Sequence, residues 1–201
     1  MMAKEEVKDR IRCFVCIELD EPLKDEIWKL IKKLSALAPN LKWAREEALH
    51  LTLKFCGNLP KATVEIMIQR LQESIKQSNI EPFILELSGI GGFPTLKRPR
   101  VLWLGVSGDL TSLLGLQSIV EDVCSSFREV HRDDKPFSPH LTLARIKRPS
   151  DITPSIVEHL PLVEFPKLLW HVKVLTFMKS DLTPEGAIYT PLARYHLGGA
   201  A

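Results

Sequence analysis

The chain has 201 residues, 45% of them apolar and 26% charged, with a formal net charge of +2. That length suits one large domain or two small lobes around a sizeable core, and the near-neutral balance provides no global field for nucleic acid, so any phosphate preference must come from local clusters. No apolar run is long enough to span a bilayer and Met1 to Arg10 contains no apolar signal core, so a cytoplasmic protein with no membrane partner is expected.

In chain order, Ile11 to Leu19 alternates and predicts a strand, with Ile11, Cys13, Val15, Ile17 and Leu19 on one face. Cys13 and Cys16 form a C-x-x-C, but a spacing of three within a strand points them to opposite faces, which favours packing over metal or redox chemistry. Cys56 and Cys124 are isolated in sequence and read as packing residues too. Asp20 as N-cap and Pro22 in the first turn open a helix striped by Leu23, Ile27, Leu30, Ile31 and Leu34, which Ala38-Pro39-Asn40 ends. The phrase His50-Leu51-Thr52-Leu53 predicts a second strand, Gly57-Asn58 a turn, and Val64, Met67, Ile68, Leu71 and Ile75 the buried face of a second helix. A strand from Phe83 to Ile90 follows, and Gly91-Gly92-Phe93-Pro94 reads as a break.

The pattern then restarts. Val101 to Val106 predicts a strand, and Asp109 caps a helix striped by Leu110, Leu113, Leu114, Val120, Cys124 and Phe127. Pro139 precedes His140-Leu141-Thr142-Leu143, Thr153-Pro154 opens a short helix, and strands are expected from Leu169 to Met178 and from Ala187 to Tyr195. The first strands start 90 positions apart (101 − 11), the caps 89 (109 − 20) and the histidines 90 (140 − 50). A constant offset implies a duplicated unit. The expected organisation is one domain over 1–201, with a first lobe repeat at 11–92 and a second at 99–196 related by a pseudo-two-fold axis. The expected class is α+β, with antiparallel sheets facing a central cleft and helices outside.

Residues two apart on a strand share a face, so each His-Leu-Thr-Leu offers an imidazole beside a hydroxyl with leucines behind. Two such pairs around one phosphorus supply what an in-line displacement needs. A neutral imidazole takes a proton from the nucleophile, a protonated one gives a proton to the leaving oxygen, and the threonine hydroxyls bind the non-bridging oxygens. Lys54, four residues after His50, shares the strand face of His50 and Thr52, whereas Arg145, five after His140, falls nominally on the opposite face; spacing alone favours Lys54 as the accessory cation. His131, His159, His171 and His196 show no ligand spacing, and Asp133-Asp134 reads as loop, so no metal is expected. The absence of a phosphate-binding glycine loop removes support for ATP or NAD as cofactor. Lys97-Arg98-Pro99-Arg100, Arg145 with Lys147-Arg148, and Arg128 to Lys135 are the local basic clusters, each read by default as a solvated face.

Taken with their flanks, these phrases resemble a known family. The two His-x-Thr-x motifs, together with Phe14 to Leu19, Pro99 to Gly105 and Pro136 to Arg145, resemble the 2H phosphoesterase superfamily. The likeness is nearest to the RNA 2′,3′-cyclic phosphodiesterases, formerly called 2′-5′ RNA ligases, and extends from about Ile11 to Tyr195. The resemblance implies a bilobal fold with a V-shaped cleft and metal-independent hydrolysis of RNA 2′,3′-cyclic phosphate ends to 2′-phosphomonoesters. It implies His50 as proton donor to the 3′-oxygen, His140 as proton acceptor from water, and Thr52, Thr142 and Arg145 as substrate-binding groups. On the cation it points to Arg145 where spacing points to Lys54. Some family members also join a 2′,3′-cyclic end to a 5′-hydroxyl without ATP.

The expected partner is therefore RNA with a 2′,3′-cyclic phosphate end, tRNA halves among the candidates, bound by a monomer without a nucleotide cofactor. Phe137 and Trp103 are candidates to stack on the terminal base. The competing readings are another 2H specificity (a cyclic nucleotide, ADP-ribose cyclic phosphate or a 2′-5′ oligonucleotide) and a non-catalytic RNA-binding module.

Overall fold

The alternating segment at the start of the chain forms β1 (Arg10–Glu18) in the computed structural model, which describes residues 9–164, 166–184 and 186–198. Asp20 then caps α1 (Glu21–Leu37): its carboxylate accepts from the Leu23 N–H at 3.1 Å, and Pro22 occupies the first turn, where an N–H would have no helical partner. Leu23, Ile27, Leu30, Ile31 and Leu34 form the buried stripe of α1, as their spacing predicts. A two-residue strand, β2 (Lys42–Trp43), leads to β3 (His50–Pro60) and α2 (Lys61–Ser78).

β4 (Phe83–Phe93) and β5 (Val101–Gly108) follow, then α3 (Leu110–Ser125), whose N-cap Asp109 accepts from the Ser112 N–H at 3.0 Å. β6 (His140–Arg145), α4 (Pro154–His159, capped by Thr153), β7 (Leu168–Val172), β8 (Val174–Thr183) and β9 (Gly186–His196) complete the described chain. Among the described residues no helix is long and apolar enough to cross a membrane.

Two antiparallel sheets result, ordered β3-β1-β8-β9 and β2-β6-β5-β4-β7, which gives the expected α+β class. Their orders correspond: β3-β1-β8 in one is matched by β6-β5-β4 in the other, each triplet beginning with a His-x-Thr strand. The halves of the chain exchange strands to achieve this. β4, which falls in the 11–92 half, pairs with β5, while β8, from the 99–196 half, pairs with β1. The leucines of both phrases (Leu51, Leu53, Leu141, Leu143) are buried in one continuous hydrophobic core that takes residues from both sheets and from α1, α2 and α3.

Two local expectations are corrected, and the packing role expected of Cys56 and Cys124 holds. Gly91-Gly92 does not break the chain; β4 runs through it to Phe93, because Gly91 is where the Trp103 indole crosses the neighbouring strand, and a Cβ there would stand 2.1 Å from the ring. The segment expected as one strand from Leu169 to Met178 is two strands parted at Lys173, and this join carries the chain from β4's sheet to β1's. Cys56 and Cys124, isolated in sequence, lie with their Sγ atoms 3.7 Å apart in the core.

Candidate active site

Both His-x-Thr phrases open into one cavity of about 900 Å³. His50 and Thr52 from β3 line it on one side, His140, Thr142 and Arg145 from β6 on the other. Phe93 at the end of β4, Tyr189 on β9 and the segment from Asp133 to Ser138 also line it, together with Lys54, Phe55, Pro94 and Arg100. The five residues expected from the sequence to act on substrate are thus brought to one place.

Each imidazole has its own environment. His50 packs against Phe14 at 4.8 Å between ring centroids and meets Tyr189 edge-on at 5.1 Å. Burial among these rings lowers its pKa to about 4, against the opposing influence of Glu18, its register partner on β1. This burial therefore favours a neutral His50. Glu18 is itself held in place, accepting from the Thr176 hydroxyl at 2.7 Å and from Arg194 Nε at 3.3 Å.

His140 meets Phe93 edge-on at 4.9 Å, and its Nδ1 lies 2.8 Å from the Ser138 carbonyl oxygen. A carbonyl only accepts, so Nδ1 carries the proton in that contact and the lone pair of the neutral ring is on Nε2. The neutral ring is thereby fixed in the tautomer that can receive a proton at Nε2.

A β-bulge that occurs in both copies sets where the two candidate cations point. On β6 the pairing with β5 slips between Leu102↔Ala144 and Trp103↔Thr142, leaving Leu143 as the extra residue. A bulge reverses the side-chain alternation beyond it. Arg145, nominally on the far face from Thr142, consequently returns to the cavity. On β3 the same slip falls between Val15↔Lys54 and Cys16↔Thr52, leaving Leu53 extra. There it turns Lys54 inward: its side chain is wholly buried and its amine is paired with Glu121. Both residues line the cavity, but the Lys54 amine is committed to Glu121, whereas among the described residues Arg145 forms no salt bridge.

Phe137 lines the cavity, whereas Trp103 is not among its lining residues and packs against Phe93 at 5.2 Å between centroids. Sequence reasoning missed Phe93, Tyr189 and Phe55, and gave Arg100 only as part of a basic cluster. Phe93 was hidden inside the glycine-rich segment read as a break, and Tyr189 sits on a strand that reaches the cleft only through the exchange between halves. Among the described residues no group of three or more His, Cys, Asp or Glu side chains is placed to hold a metal.

Residues 23–184 match the family model described as the 2'-5' RNA ligase superfamily. The chain is 34% identical over 190 residues to a protein of Aquifex aeolicus named RNA 2',3'-cyclic phosphodiesterase, with 94% of this chain and 98% of that protein covered. A protein of the same name from Archaeoglobus fulgidus is 31% identical over 185 residues, covering 90% of this chain and 98% of its own. Among solved structures, TT0787 of Thermus thermophilus gives a TM-score of 0.71 at 28% identity, over 95% of this chain and 100% of that one. E. coli LigT complexed with 3'-AMP gives 0.71 at 24% identity over 94% and 98%, a likeness of fold alone.

Proposed function

The chain belongs to the 2'-5' RNA ligase superfamily, and on that premise we propose that it hydrolyses 2′,3′-cyclic phosphate ends of RNA to 2′-phosphomonoesters. The observation that carries this reading is the single cavity lined by both His-x-Thr pairs and Arg145. The names of the curated relatives favour the substrate class.

In this reading His140 Nε2 takes a proton from water as the water oxygen attacks phosphorus. The bond from phosphorus to the 3′-oxygen breaks, and its electron pair leaves on that oxygen, which His50 protonates. Thr52, Thr142 and Arg145 hold the non-bridging oxygens, where charge accumulates. Each proton transfer of this kind is worth on the order of 10²–10⁴-fold in rate. The proposed steps call on no metal or cofactor.

His50 must be charged to act as the acid, yet its burial favours the neutral ring. An anionic phosphate diester beside it, with Glu18 behind, favours the imidazolium. The proton is therefore taken up with the substrate. A ribose 5′-hydroxyl in place of water would give a 2′-5′ linkage by the same displacement.

A substrate panel tests the reading, with product phosphate position assigned by phosphorus NMR. It comprises an oligoribonucleotide 2′,3′-cyclic phosphate, a 3′,5′-cyclic nucleotide, ADP-ribose cyclic phosphate and a 2′-5′ oligonucleotide. The expected result is preferential turnover of the first to a 2′-phosphomonoester. A 3′-phosphomonoester would reverse the leaving group, and preference for another substrate would reassign the specificity.

A further inference from the structure

A second groove, of about 870 Å³, adjoins the cleft and shares Pro94 and Arg100 with it. It is built where the segment leading into β5 runs beside the segment leaving β6. The Val101↔Arg145 pair and the Ile146 N–H donated to the Arg100 carbonyl at 2.9 Å hold the two together. This brings Lys97, Arg98 and Arg100 opposite Lys147 and Arg148, five cations that the sequence presents as two separate clusters. Among the described residues Glu158 is the sole carboxylate on the lining. Arg148 is partly neutralised by Asp151, with Nε 3.1 Å from Oδ1. Among the described residues the other four form no salt bridge.

Between the cations the surface is apolar, formed by Ile146, Ile152, Pro154 and Val157. A smaller recess shares Lys147 and Arg148 and adds Asn40, Leu41, Lys42 and Asp151. In a chain of net charge +2 this concentration is local and directional. Cations around an apolar floor fit a single-stranded polyanion with flat apolar units, since phosphates meet the cations and a base covers the floor. The floor offers little hydrogen-bonding chemistry with which to read base edges, so it is sequence-tolerant.

We infer that this groove binds the nucleotides on the 5′ side of the reacting RNA terminus, a second subsite that engages a strand but leaves a mononucleotide untouched. Lys97, Arg98 and Lys147 pair with backbone phosphates, and a base lies over Ile152 and Val157. The inference rests on the reading of the cleft as acting on RNA ends.

The test compares wild type with the double variant Lys97→Glu, Lys147→Glu, both substitutions being at exposed positions outside the catalytic cavity. The substrates are 2′,3′-cyclic CMP and a single-stranded pentaribonucleotide with a 2′,3′-cyclic end. The expected result is a loss of kcat/KM on the order of tenfold or more for the pentamer, with the mononucleotide within about twofold of wild type. The slope of log(kcat/KM) against log[salt] for the pentamer should become shallower by about 1.4, since each phosphate contact on a single strand contributes about 0.7. An equal loss on both substrates, or no loss on either, overturns the inference. Should wild type cleave neither substrate, the proposed activity fails by itself. The groove is then decided by fluorescence anisotropy with a single-stranded oligoribonucleotide ending in a 3′-hydroxyl. Salt-sensitive binding that the double variant loses supports the groove, and binding that the variant keeps overturns it.

Discussion

Lys54 Nζ lies 2.8 Å from Glu121 Oε1, and both side chains are withdrawn from solvent. The amine has three hydrogens and meets three acceptors: Glu121, the His131 carbonyl at 2.8 Å and Asp133 Oδ2 at 3.1 Å. Burial by itself would lower its pKa, but the hydrogen bonds to the Glu121 and Asp133 carboxylates outweigh that and hold it above the ordinary lysine value. Glu121 also accepts from the Asp133 N–H at 3.1 Å, so β3, α3 and the start of the 133–138 wall are joined at one point.

Lys54→Met should therefore destabilise the protein by about 3–5 kcal/mol, because Glu121 is left buried without its counter-charge. Adding Glu121→Gln should restore part of that loss. Urea unfolding of the two single variants and the double variant measures the coupling. A cost below about 1 kcal/mol for Lys54→Met, as for a surface pair, would contradict this role.

The His50 environment makes stability depend on acid. In an unfolded chain an imidazole titrates at about 6.5, and in the fold His50 does so at about 4. As pH falls through that window the unfolded chain binds the proton first, so His50 contributes a decline in stability from about 6.5 down to about 4. His50→Gln should remove this contribution, seen as a flatter dependence of the melting temperature on pH. In the free protein the His50 ring resonances should titrate at about 4 and move upward when inorganic phosphate is added. An ordinary midpoint in the free protein would remove the basis for proton uptake with substrate.

Gly91 and Trp103 should behave as a coupled pair. Gly91→Ala places a methyl group within 2.1 Å of the indole, whose ring has no flexible end to give way. A cost of about 1–3 kcal/mol is expected, in line with overpacking elsewhere. In a Trp103→Ala background, itself destabilised, the same alanine should cost little. Equal costs in both backgrounds would show that the close approach carries no energy.

Much of this architecture is legible in the sequence because its signals are local. The caps at Asp20, Asp109 and Thr153, the stripe of α1 and the alternation of β1 all form as their spacing implies. The pairing of the two phrases follows from their common offset. The partners of each strand are not local information. Nothing in Phe83 to Phe93 announces that β4 pairs with β5 and β7, nor does the segment from Leu169 to Met178 announce its change of sheet at Lys173. Parity failed at Leu53 and Leu143 because a bulge changes the count by one while leaving the residue pattern unchanged.

The threonines should act on rate and leave the fold intact. Thr52→Val and Thr142→Val keep the branched shape that suits a strand and delete the hydroxyl. Each should lower kcat by on the order of 10²-fold, comparable to removing one donor from an oxyanion site. Serine at either position should recover most of the rate, since it restores the hydroxyl. Valine variants with wild-type kcat would place the phosphate contacts elsewhere, on Arg145 or on backbone N–H groups.

The central claim is that His50 and His140 act together on one phosphorus, and single-turnover hydrolysis of an oligoribonucleotide 2′,3′-cyclic phosphate tests it most directly. His50→Ala and His140→Ala should each reduce the rate by at least on the order of 10²-fold. The wild-type rate should be unchanged by EDTA. A wild-type rate in either alanine variant would contradict the account.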